Sequence, residues 1–143
     1  MRLLRVLALS ALTLTLACGD SDPTDVDSDE VPSDLLGTWV ATTLIVGATD
    51  LVVGGTTFEI TFTAAQDYSF AVADSPNDLF CDSATSCSSG GVFAVQGQTL
   101  ILDADEANEE DRTELSLTEL TATDLALSGS IDGDPIQFVF VRP

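Results

Sequence analysis

The chain has 143 residues, 24 of them acidic and four basic, and a formal net charge of −20 with no histidine. That balance excludes a nucleic-acid binder, which needs Lys and Arg against phosphates, and it leaves no basic surface for anionic lipid headgroups. Arg2 and Arg5 are the only charges before Asp20, and the apolar run Val6 to Ala17 (VLALSALTLTLA) separates them from Cys18. A basic start, a short apolar core and a small residue at the cut describe a secretory signal. The run is too short for a membrane-spanning helix, which takes about 20 residues.

Leu14-Thr15-Leu16-Ala17-Cys18 resembles a bacterial lipobox, with Ala17 as the small residue before the cut and Thr15 where the family usually carries Leu. The resemblance implies a signal peptide over residues 1–17 and an acylated cysteine at Cys18. A lipoprotein cysteine carries a diacylglycerol, and more than one acyl chain holds firmly at a membrane. Gly19, in place of Asp after the cysteine, resembles cargo sent to the outer membrane. The expected location is the cell envelope, lipid-anchored. After the cut, Arg112 and Arg142 face all 24 acidic residues, a side-chain balance of −22. Such charge reads as solubility and self-repulsion.

Residues 18–34 hold the anchor cysteine and then GDSDPTDVDSDEVPSD, acidic and nearly free of large apolar groups. The stretch is expected to stay unfolded and extended as a tether. Asp25, Asp27 and Asp29 alternate, but a calcium loop of the EF-hand kind needs Gly at its sixth position and Glu at its twelfth. Those positions hold Glu30 and Leu36, so the tether is preferred.

From Leu35 to Pro143 short β-branched and aromatic runs alternate with turn residues, the pattern of an all-β domain. Strands are expected at Thr38–Val46, Phe58–Thr63, Tyr68–Val72, Val92–Val95, Thr99–Leu102, Glu114–Leu117, Leu125–Ser128 and Ile136–Val141. Gln66-Asp67, Gln96-Gly97-Gln98 and Asp132-Gly133 supply turns. About eight strands on mostly short turns, without a convincing helix, make an up-and-down antiparallel meander, and closure into a small barrel removes its two edges. Two connections are long: Asp74 to Gly91, and the charge-dense Asp103 to Arg112, which reads as solvated. Cys81 and Cys87, five residues between them, are expected to pair as a disulfide in an oxidising compartment.

Leu36-Gly37-Thr38-Trp39 resembles the G-x-W of lipocalins and related bacterial lipocalin-like domains, and FEITFTAAQDYSF and LTELTATDLALSG are similar to them in rhythm. The resemblance covers residues 35–143. It implies that Trp39 closes one barrel end and that Arg142, at the end of the last strand, packs over it as a structural pair. Larger lipocalins carry T-D-Y, whereas Thr123-Asp124 is followed here by Leu125.

The expected function is a binding module, with an apolar molecule entering the barrel among Phe58, Ile60, Phe62, Phe70, Phe138 and Phe140. The alternative is a side-chain-filled barrel, which eight strands permit, acting as a structural or interaction lipoprotein with an envelope protein partner. An enzyme is not expected. There is no His for general acid–base work, a Ser nucleophile would lack both His and Lys as base, and no carboxylate pair stands out. No metal and no cofactor is called for.

Overall fold

The computed structural model describes residues 30–76, 80–81, 84–131 and 133–143. The proposed signal peptide, Cys18, the three alternating aspartates and Asp132 lie outside these residues.

Nine strands follow in chain order: β1 (Gly37–Val46), β2 (Thr49–Asp50), β3 (Thr57–Phe62), β4 (Asp67–Ala73), β5 (Cys87–Gln96), β6 (Thr99–Leu102), β7 (Thr113–Leu120), β8 (Asp124–Ile131) and β9 (Asp134–Val141). Two single 3-10 turns accompany them, at Ser33–Leu35 and Glu109–Asp111. Each long strand pairs antiparallel with the next, and β9 pairs back onto β1 from Val40↔Val141 to Val46↔Ile136. The eight long strands therefore form a closed, all-β, up-and-down barrel. The two-residue β2 is a flap on β1 that the sequence did not announce.

Alternation drives the closure. In β3, Phe58, Ile60 and Phe62 point in while Thr57 and Glu59 face out; in β9, Ile136, Phe138 and Phe140 point in. Burying one face of every strand fixes the register, because a slip by one residue would put these rings in water. Two register shifts bend the wall, in β1 between Ala41 and Thr43 and in β7 between Leu117 and Glu119. At each, the unpaired residue is a threonine whose hydroxyl donates to a carbonyl of the neighbouring strand: Thr42 to Val139 at 3.2 Å and Thr118 to Ala126 at 3.1 Å. Such bulges increase local twist and help a small sheet close.

Strand β5 begins at Cys87, five residues before the expected start at Val92, because Cys87 to Gly91 pair with Tyr68 to Val72 of β4. The Cys81–Cys87 disulfide, with Cα atoms 5.5 Å apart, joins the incoming connection to the first residue of that strand. Closing so short a loop is worth about 2 kcal/mol on a chain-entropy estimate. The order also starts before Leu35: Val31 packs against the core, and the turn at Ser33–Leu35 leads into β1.

Candidate functional site

The meander sorts the connections to two ends. The turns β3–β4, β5–β6 and β7–β8 gather at one end with residues 33–36 and the chain's last residues; the longer connections β4–β5 and β6–β7 lie at the other.

The first end is sealed. Trp39 is fully buried, and its indole N–H donates to the Leu35 carbonyl at 2.8 Å. The Arg142 guanidinium lies 4.3 Å from the Trp39 ring centroid. It donates through Nε to Ala122 O at 2.6 Å, through Nη1 to Leu36 O at 2.8 Å and through Nη2 to Asp34 O at 2.6 Å. One planar fork thus ties together the N-terminal turn, the β7–β8 turn and the last strand, geometry that a lysine's point charge cannot reproduce. Gly37, at φ +115°, makes room for it: a Cβ there would stand 2.5 Å from Arg142 Nη1. Phe62 and Phe93 fill the space beneath, edge to face at 5.0 Å.

The second end holds a cavity of about 210 Å³. Its floor is aromatic. Phe58 sits at the centre, 5.6 Å from Phe70, 5.4 Å from Phe80, 5.3 Å from Phe138 and 6.0 Å from Phe140 by ring centroids. Ile60, Leu115 and Leu127 complete the buried wall, while Phe70, Phe80, Leu102 and Ile131 are only half-buried and form the rim. Phe80 comes from the β4–β5 connection beside Cys81, so the disulfide holds a rim ring in place.

The cavity has one polar pair. Tyr68 Oη donates to Asp103 Oδ1 at 2.8 Å, across 35 residues of sequence. Burial, chiefly, and then the hydrogen bond and negative charge of Asp103, with a contribution from Asp105, push the phenol well above its ordinary value, so it remains a protonated donor. Asp103 has left-handed backbone, φ +55°, which Asp tolerates better than most residues. Gly91 lets the carboxylate approach: a Cβ there would collide with Asp103 Oδ1 and press on the Tyr68 ring. Thr113 also lines the cavity. Among the described residues no group of three or more His, Cys, Asp and Glu is placed to hold a metal ion.

Five of the six residues expected to face a ligand, Phe58, Ile60, Phe70, Phe138 and Phe140, line this cavity; Phe62 does not. It shares their inward face but lies at the Trp39 end of β3, where Phe93 covers it. Asp103, read from sequence as part of a solvated loop, is instead a cavity residue. No signal in the sequence pairs it with Tyr68; only the closed barrel brings the two together. Leu102, Leu115 and Leu127 fell within expected strands but were given neither a face nor a depth along the axis, and Ile131 lies beyond the expected end of its strand at Ser128, because β8 runs on to Ile131.

Fold and site define the class: a closed up-and-down β-barrel, plugged at one end by a Trp–Arg pair and holding an apolar cavity at the other. No family model matches the chain, and no curated protein does. A solved structure of a lipocalin-like protein from Bacteroides uniformis is similar to it, 13% identical over 77% of this chain and 99% of that one, with a TM-score of 0.47.

Proposed function

We propose that this chain is a non-enzymatic, lipid-anchored binding module of the cell envelope, whose barrel takes up one small apolar molecule. The observation that carries the binding is the cavity of about 210 Å³ floored by phenylalanines. An apolar cavity of about 150 Å³ is enough to bind benzene. A ring or a chain of six to eight carbons fits such a volume. At about 0.8 kcal/mol per buried CH₂, affinity on the order of 0.1 mM follows.

The anchor rests on the sequence before Gly19: two arginines, a short apolar run and Ala17-Cys18. Replacing Cys18 by alanine should abolish incorporation of labelled palmitate and leave residues 1–17 on the chain; retention of the label would place the acyl group elsewhere. The non-enzymatic reading rests on a chain without His and Lys.

Binding is tested on residues 19–143, which contain the whole closed barrel. Titration with toluene to several millimolar, followed by NMR, should give saturable one-to-one shifts at Phe70, Phe80 and Ile131, with little change at Trp39. Shifts that grow linearly, or spread over the whole barrel, would count against a site.

A further inference from the structure

The polar pair in the cavity narrows what can enter it. We propose that the barrel selects apolar molecules that end in a hydrogen-bond donor, primary amines above alcohols, and rejects apolar acids. The proposal rests on the binding reading above and adds the chemistry of the head group.

Three observations carry it. First, the cavity wall contains a carboxylate, Asp103, and no cationic side chain. A carboxylate accepts several hydrogen bonds. Tyr68 supplies one, to Oδ1, and among the described residues no donor pairs with Oδ2. Second, the cations of the barrel are engaged elsewhere. Arg112 directs Nε and Nη2 to the Glu106 carbonyl, and Arg142 holds the opposite end through three carbonyls. Nothing in the cavity could neutralise a second carboxylate, and two like charges brought together in an apolar site repel strongly. Third, the carboxylate is held there by dedicated local structure: left-handed backbone at Asp103, a buried tyrosine donor, and Gly91 where any Cβ would collide with Oδ1.

An ammonium or hydroxyl seated beside Asp103 would place its chain on the Phe58 cluster, and an ammonium gains further from the faces of the surrounding rings. The overall acidity acts in the same direction, enriching cations and depleting anions near the mouth. That long-range part is screened by salt, whereas contact with Asp103 is much less so.

The test compares hexylamine, 1-hexanol and hexanoate, with toluene as the reference, titrated into residues 19–143 at about 0.5 M NaCl to screen the long-range field. Hexylamine should bind at least about tenfold tighter than hexanoate, the size expected of one hydrogen bond to a charged group, and hexanol should fall between. Asp103→Asn should bring the amine and alcohol affinities together. Asparagine tolerates the left-handed backbone and its amide oxygen can still accept from Tyr68, so the variant should fold. If toluene binds but hexanoate matches hexylamine, or if Asp103→Asn leaves the amine preference intact, the head-group proposal is overturned and the cavity reading stands. If toluene itself does not bind, both fall.

Discussion

Trp39→Ala should destabilise the barrel by about 3–5 kcal/mol, the cost of deleting a large buried aromatic and leaving its space only partly refilled. Trp39 is fully buried, and its loss also frees the Leu35 carbonyl and removes the surface on which Arg142 lies. For a domain of this size the midpoint of thermal unfolding should fall by roughly 15–30 °C, measured by circular dichroism. Arg142→Lys should cost less but clearly more than a surface substitution, since lysine cannot reach Asp34, Leu36 and Ala122 together. A loss below about 1 kcal/mol for Trp39→Ala, within the range of ordinary single changes, would show that this end is not the plug described here.

Ile131→Trp should block the cavity without unfolding the protein. Ile131 ends β8 at the loop end, is half-buried, and lines the mouth. A larger ring there can occupy the opening instead of being forced into a packed core, so the usual overpacking penalty of about 1–3 kcal/mol should stay at its lower limit. Toluene affinity should fall at least about tenfold, equivalent to losing roughly two buried methylene groups' worth of contact. Ile131→Ala should instead widen the mouth and admit bulkier rings. Unchanged toluene binding in the Ile131→Trp chain would move the binding site away from this cavity.

Most of the fold was legible because several strands alternate cleanly, β3, β4 and β9 above all. Phe58-Glu59-Ile60-Thr61-Phe62 can bury its rings in only one way as a strand, and the turns at Gln96-Gly97-Gln98 and in the β8–β9 hairpin are short enough to force neighbours together. The first half of β5 was not legible. Ser88-Ser89-Gly90-Gly91 has the composition of a loop, but strand preference yields to context, and the free edge of β4 with the fixed Cys87 draws it into the sheet. Gly91 is small because Asp103 and Tyr68 occupy the space a side chain would take.

The site was half legible for a related reason. A period of two assigns a residue to the inner face but not to a depth along the axis. Phe58 and Phe62 are therefore equivalent in sequence, and only the barrel separates a cavity floor from a plug. Trp39 and Arg142 could be paired through the resemblance of Gly37-Thr38-Trp39 to a known motif. Tyr68 and Asp103 had no such motif, and their pairing depends on the β4–β5–β6 stagger that brings Asp103 beside Tyr68.

The central claim is an open apolar cavity that accepts a small molecule, and crystals of the protein soaked in hexylamine test it most directly. Continuous density should appear among Phe58, Phe70 and Phe138, with the nitrogen within hydrogen-bond distance of Asp103. A cavity closed over by its own side chains, or holding only ordered water under the same soak, would contradict it.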